Sequence, residues 1–211
     1  MKPFKFRASS VSRIMTEAKS KDEPLSVGAK TELESIAKQL VYGYSKEVSS
    51  KQMEKGILVE DQSIELYNSV FFTNYAKNTE RKTNDWVTGE CDIFTGSKVI
   101  DIKSPWSLDT FPALSASGTD RDYEWQLRTY MWLWDCDESE IAYCLVSTPP
   151  ELVGYESEEL HYVEEINPVL RVTRVPYKRD KALEDRIKFK VDAANAYLNQ
   201  LVKQIADEHA A

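Results

Sequence analysis

The stretch DWVTGECDIFTGSKVIDIK, Asp85 to Lys103, reads as two β-prone runs joined at Gly96-Ser97. Glycine at the first central position of a two-residue loop favours a type II′ hairpin turn, because that position needs a positive φ. With Gly96 and Ser97 at the tip, Thr95 faces Lys98, and counting outward sets Asp92 opposite Asp101, both side chains leaving one side of the sheet. Alternation along the second run puts Val99, Asp101 and Lys103 on that face and Ile100 and Ile102 on the other. Opposed carboxylates repel, and a fold tolerates them where a cation sits between. Oxygen ligands suit magnesium or manganese. A lysine two residues beyond the second aspartate could help activate or orient water while the metal stabilises charge developing on a phosphoryl oxygen. On the hairpin alone, an exposed polar strand face on which Asp101 and Lys103 merely pair with neighbours fits equally well, since D-x-K is a common accident.

Two helices flank this hairpin in the chain. One is expected from about Ser50 to Asn68, with Met53, Ile57, Ile64 and Tyr67 as its buried stripe and Glu60 near the stripe's centre. A carboxylate there needs a cation, a donor network or an opening in the core. The alternative is a carboxylate satisfied by a neighbour, or a helix rotated so that Glu60 and Asp61 face solvent together. The second helix, about Asp122 to Trp134, turns Tyr123, Leu127, Tyr130, Met131, Leu133 and Trp134 inward, with Gln126 among them. Gln126 and Tyr130 are one turn apart and can reach the same site, unless a backbone group satisfies the amide. Trp125 and Trp132 fall on the outer face beside Arg121 and Arg128. That placement suggests a subunit interface, a base-stacking surface or packing under another segment.

The remaining pattern predicts a short helix from about Ser10 to Ala18, a loop from Ser20 to Pro24, and a helix through Leu33, Ile36, Ala37, Leu40, Val41 and Tyr44 that ends near Gly43. VFFTNYA (Val70 to Ala76), IAYCLVST (Ile141 to Thr148) and LRVTRVPY (Leu170 to Tyr177) read as strands. A final helix carries the stripe Leu183, Ile187, Val191, Ala194, Leu198, Leu201 and Ile205. The order implies an α/β fold with a mixed sheet flanked by helices. With 211 residues and 42% hydrophobic content, a single domain over 1–211 is expected. Three cysteines at spacings that match no zinc pattern suit a reducing compartment, so the cytoplasm is the default. The N-terminus lacks a secretory signal and no run approaches the roughly 20 apolar residues of a membrane span. A net charge of −8 argues against coating nucleic acid through bulk positive charge. Bound cations, however, reverse the local sign at a carboxylate cluster.

Five segments in order, RASS (Arg7 to Ser10), KGILVE (Lys55 to Glu60), GECD (Gly89 to Asp92), DIKSPW (Asp101 to Trp106) and QLRTY (Gln126 to Tyr130), resemble the PD-(D/E)xK nuclease pattern. The likeness is narrower to the λ-exonuclease and YqaJ type of viral alkaline exonuclease. It implies a restriction-endonuclease-like core, a central mixed β-sheet flanked by helices. It further implies that Asp92 and Asp101 bind two magnesium ions, replaceable by manganese, with help from the Ile102 carbonyl. Lys103 would position or deprotonate the attacking water, Glu60 would support the metal site, and Gln126 would hold the lysine or the substrate. Ser9 stands in the place of the family's TAS serine and would contact a 5′ phosphate, with Arg7 and Tyr130 as further substrate contacts; Ser9 or Ser10 serves equally as a helix N-cap. Where many relatives have glycine after the first aspartate, this chain has Ile93.

The implied activity is 5′-to-3′ digestion of one strand of linear duplex DNA, leaving 3′ single-stranded overhangs for phage-type recombination in a bacterial host's cytoplasm. A ring-shaped homotrimer and a single-strand annealing partner come with the same resemblance, and a ring's basic lining can coexist with an acidic exterior. Three other classes remain open: a restriction or repair endonuclease on the same core, a non-catalytic DNA-binding module, and a metal-dependent phosphohydrolase. The last often uses histidine, and His161 and His209 lie far from these motifs in sequence.

Overall fold

A computed structural model of the chain describes residues 2–45 and 49–209. The hairpin lies where its turn predicts. β4 (Ile93–Phe94) and β5 (Lys98–Lys103) pair antiparallel with Ile93 against Ile100 and Phe94 against Val99. Gly96 has φ +93° and Ser97 is not among the positive-φ residues, as a type II′ turn requires.

β5 lies inside a four-stranded mixed sheet of order β4-β5-β6-β7, with β6 at Glu138–Cys144 and β7 at Val172–Lys178. β5 and β6 run parallel, so the chain must cross over between them, and α4 (Arg121–Trp134) makes that crossover. Asp120 caps it, its side chain accepting from the Asp122 and Tyr123 amides at 2.8 and 3.1 Å. α4 covers one face of the sheet, packing Leu127, Tyr130, Met131 and Trp134 on Val99, Ile141 and Val175. α3 (Glu60–Phe71) covers the other, packing Ile64, Leu66 and Tyr67 on Ile93, Ile100, Ile102, Ala142 and Cys144. A smaller sheet, order β1-β3-β2, is built from β1 (Phe6–Arg7), β2 (Lys82–Thr83) and β3 (Val87–Gly89). DWVTGECDIF is therefore split between two sheets.

Several expectations are corrected. VFFTNYA is not a strand: Val70 and Phe71 end α3, and Phe72 takes a left-handed φ of +53°. Asn68 then orders the following segment, its side chain bonding Thr73 and both backbone groups of Tyr75. The opening helix is a 3₁₀ segment at Ala8–Ile14, preceded by Arg7 without a side-chain cap, so neither Ser9 nor Ser10 caps it. The helix expected from Ser50 is interrupted at Val59 (φ −110°, ψ 11°), giving α2 (Lys51–Leu58) and α3. Met53 and Ile57 are exposed, at 52% and 75%. The buried positions are Lys55, Val59, Ser63, Ile64, Leu66 and Tyr67, so Ile64 and Tyr67 face inward as expected and the line is continued N-terminally by Lys55, Val59 and Ser63, spaced by four.

Trp125 is buried too, because α4 has a second layer on its outer side. There α1 (Val27–Tyr42) and α6 (Lys181–His209) pack through Ala29, Leu33, Ala37, Ile187, Val191, Ala194 and Leu198, and Trp125 joins that cluster. Trp132 stacks obliquely on Trp86 with centroids 5.6 Å apart, and the Lys188 ammonium lies 5.2 Å from the Trp132 ring. Packing under another segment is thus what accounts for this pair. Among the described residues no helix is long and apolar enough to cross a membrane, and Cys91, Cys136 and Cys144 are free and buried.

Gly89 marks a close approach between β3 and α4: a Cβ there would stand 2.8 Å from Tyr130 Cε1 and 3.1 Å from Ala8 Cβ. Tyr130 is held by hydrogen bonds and cannot swing aside freely. Gly89→Ala should therefore lower stability by about 1–3 kcal/mol in urea denaturation. An unchanged midpoint would contradict this packing.

Candidate active site

Asp101 is 1% exposed on β5, facing α4. Its Oδ1 accepts from Gln126 Nε2 at 3.3 Å. Its Oδ2 lies 2.6 Å from the Lys103 ammonium, in a buried ion pair. Asp92 sits just before β4, which is too short to reach the end of β5. There its Oδ2 accepts the Ile102 amide at 2.6 Å. A strand residue's N–H and C=O point to the same side, so the Ile102 carbonyl also faces this open edge.

Asp92, Asp101, Ile102, Lys103, Glu60 and Gln126 border one cavity of about 590 Å³, whose far wall includes the exposed Met53 and Ile57. The Lys103 ammonium also lies 4.7 Å from the Tyr123 ring centre. Burial alone would lower the Lys103 pKa, but Asp101 and Asp92 outweigh it and hold the group above its usual value. It therefore stands in the site as a cation. Glu60 meets a different lysine: its Oε2 lies 2.7 Å from Lys77 Nζ. A second cavity of about 230 Å³ adjoins this pair and Asp92, with Arg81 and Glu90 also on its wall.

The expected substrate contacts divide. Tyr130 is 4% exposed, and its hydroxyl accepts from Gln126 at 3.0 Å and donates to the Glu90 carbonyl at 2.9 Å. It braces Gln126 from behind and does not line the cavity. Arg7 and Ser9 are exposed and also lie outside the cavity lining. They still belong to its neighbourhood, since β1 pairs parallel to β3 with Arg7 against Thr88, four residues before Asp92. The sequence reading passed over Lys77 and Lys55, which look like ordinary surface lysines; Lys55 at least falls inside the KGILVE match.

The donor set suits a hard divalent cation. Asp101 offers a buried carboxylate on the cavity wall, and Asp92 and Ile102 border the same cavity with further oxygens. Among the described residues no three acidic, cysteine or histidine side chains converge as a ready cage. Magnesium needs none, because it commonly takes one or two carboxylates and fills its other positions with water and substrate phosphate.

A mixed sheet with helices on both faces and a D-x-K strand at its centre places the chain among nucleases with a restriction-endonuclease-like core. A phage-related exonuclease from Haemophilus somnus 129PT has the same fold at TM-score 0.90, with 35% identity over 96% of this chain and 96% of its own. The alkaline exonuclease LHK-Exo from Laribacter hongkongensis matches at TM-score 0.70 with 16% identity, over 99% of this chain and 95% of its own. LHK-Exo in complex with dAMP matches at TM-score 0.70 with 17% identity, over 98% and 93%. No protein-family model matches the chain, and no curated protein is similar to it in sequence. On the first of these likenesses, the chain belongs to the λ-exonuclease and YqaJ type of nuclease.

The repulsion at this site has a pH signature. Burial, with the Asp101 charge beside it, pushes the Asp92 carboxyl well above the usual carboxylate range, against the pull of Lys103 and the Ile102 amide. Between the ordinary carboxylate value and that raised value the folded state holds the extra proton, so metal-free stability falls as pH rises through the window. Asp92→Asn should flatten this fall in thermal denaturation with chelator present. An unaltered slope in the variant would show that Asp92 carries no such strain.

Proposed function

We propose that this nuclease is a magnesium-dependent exonuclease that digests one strand of linear duplex DNA from a free 5′ end, leaving a 3′ single-stranded overhang. The observation that carries the reading is the Asp101 carboxylate, buried beside an open cavity and held between Lys103 and Gln126. Asp92, Asp101 and the Ile102 carbonyl hold the magnesium, and manganese can replace it. When bound, the metal supplies charge stabilisation at the phosphoryl oxygen and lowers the pKa of the attacking water.

The protein's own groups do the rest. Lys103, kept charged by its aspartates, donates to the attacking water or a phosphate oxygen and so orients the reaction. Gln126, braced by Tyr130, fixes the Asp101 carboxylate, and Glu60 supports the metal site from the cavity wall. Ser9 and Arg7 receive the 5′ phosphate. The volume of the cavity suits a nucleotide, and the related LHK-Exo has been crystallised with dAMP. The working form is a homotrimer around DNA in the bacterial cytoplasm, acting with a single-strand annealing protein.

Duplex DNA labelled at its 5′ or its 3′ end, and a covalently closed circle, test this reading. Magnesium should bring early release of the 5′ label, with the circle intact, and Lys103→Ala should lose on the order of 10²-fold or more in rate. Cleavage of the circle would favour an endonuclease, and early release of the 3′ label would reverse the polarity.

A further inference from the structure

α2 buries a lysine. The Lys55 side chain is fully covered, and its ammonium donates to the carbonyls of Pro105 at 2.6 Å, Trp106 at 3.0 Å and Val146 at 2.9 Å. An ammonium has three donors, and here each meets a neutral acceptor. With no carboxylate among these partners, burial pushes the Lys55 pKa down to about 8. A buried charge without a counterion is costly, whereas an apolar side chain of equal length would avoid that cost but strand three carbonyls. Pairing those carbonyls is the local reason for a lysine at this position.

The place of its acceptors gives a further one. Pro105 and Trp106 follow directly on the end of β5, where Lys103 is the last strand residue, and Val146 continues β6, the parallel neighbour of β5. Lys55 itself stands on α2, one turn before Val59 and the start of α3 at Glu60. A second tie joins the same two segments: the fully buried Ser63 of α3 shares a 2.8 Å hydroxyl–hydroxyl bond with Ser104. The side-chain bond of Glu60 runs to Lys77, which lies on neither strand. The placement of Glu60 opposite Asp101 and Lys103 thus depends on how α2 and α3 are pinned to the end of β5.

We infer that Lys55 is a positioning residue of the nuclease site: with Ser63, it registers the helix bearing Glu60 against the strand end bearing Asp101 and Lys103. This rests on the reading of that cavity as the active site, with Glu60 in support. A shift of about 1 Å in such a group can cost on the order of 10²-fold in rate.

A double-mutant cycle on linear duplex DNA with magnesium separates positioning from mere support of the fold. Wild type, Lys55→Met, Glu60→Gln and the double variant are assayed for kcat and KM well below each protein's measured Tm. Lys55→Met should lower kcat by about tenfold or more with KM within about twofold, and should cost less than about threefold in the Glu60→Gln background. Equal losses in the two backgrounds, or an undiminished kcat, would overturn the inference. Ser63→Ala, which strands one hydroxyl where Lys55→Met strands three carbonyls, is run through the same cycle. Should Lys55→Met fail to fold, a Ser63→Ala loss that shrinks beside Glu60→Gln supports the inference, and one that does not overturns it. A wild-type protein inert on every DNA end would instead remove the reading of the cavity and the inference with it.

Discussion

Asp92 is held beside the charge of Asp101, and much of the local structure manages that conflict. Asp92 receives the Ile102 amide because β4 stops short, and Asp101 receives Gln126 and the Lys103 ammonium. Topology supplies these partners. A parallel β5–β6 pair needs a crossover, the crossover is α4, and α4 lands on the face of β5 that carries Asp101. The amide of Gln126 and the ring of Tyr123 arrive at the carboxylate with it. The residual strain is directional: a carboxyl held above its ordinary range by burial and by its neighbour's charge favours the arrival of a cation.

The hairpin was legible because a two-residue turn sets register by counting, and a single slip would have moved every side chain to the other face. α4 was legible on its sheet-facing side for a similar reason, since Leu127, Tyr130 and Met131 repeat with the helix. Its outer side left three readings open, and packing under another segment is the one that holds, because a helix lying between a sheet and a helix pair buries side chains on two faces and Trp125 belongs to that second layer. VFFTNYA, by contrast, misled. Its residues are β-prone, but Tyr75 packs against α3 with its backbone bonded to the Asn68 side chain and not to a strand. Propensity reports a preference for a half-buried surface and says little about which partner provides the hydrogen bonds.

The stripe along α2 and α3 is the most instructive departure. Pattern reading selects Met53 and Ile57 because they are apolar, yet these lie open at the cavity, while Lys55 and Ser63 face inward. Both buried polar groups are satisfied by atoms some forty to ninety residues away in the chain, as their separations of 41, 50, 51 and 91 residues show. No local window contains that information. The same inversion explains why Glu60 can border the cavity without being a core residue: the buried line passes beside it, through Val59 and Ser63, and leaves its carboxylate free to meet Lys77.

Net charge is a sum over surfaces that do different things, which is why −8 coexists with membership of a nuclease family. Part of the excess is on an exposed stretch remote in sequence from the site motifs, where Glu156, Glu158, Glu159, Glu164 and Glu165 lie within ten residues. Around the two cavities three of the acids are matched: Lys103 stands against Asp101, Lys77 against Glu60 and Arg81 against Glu90. Screening at physiological salt confines the influence of distant exposed charges to roughly 8 Å, so of that stretch Glu156, which accepts from the indole of Trp106 on the cavity wall at 3.0 Å, bears most directly on the potential inside. What a phosphate would meet is therefore set by these nearby groups and by any cation held between the aspartates. The whole-chain charge governs solubility and encounter instead.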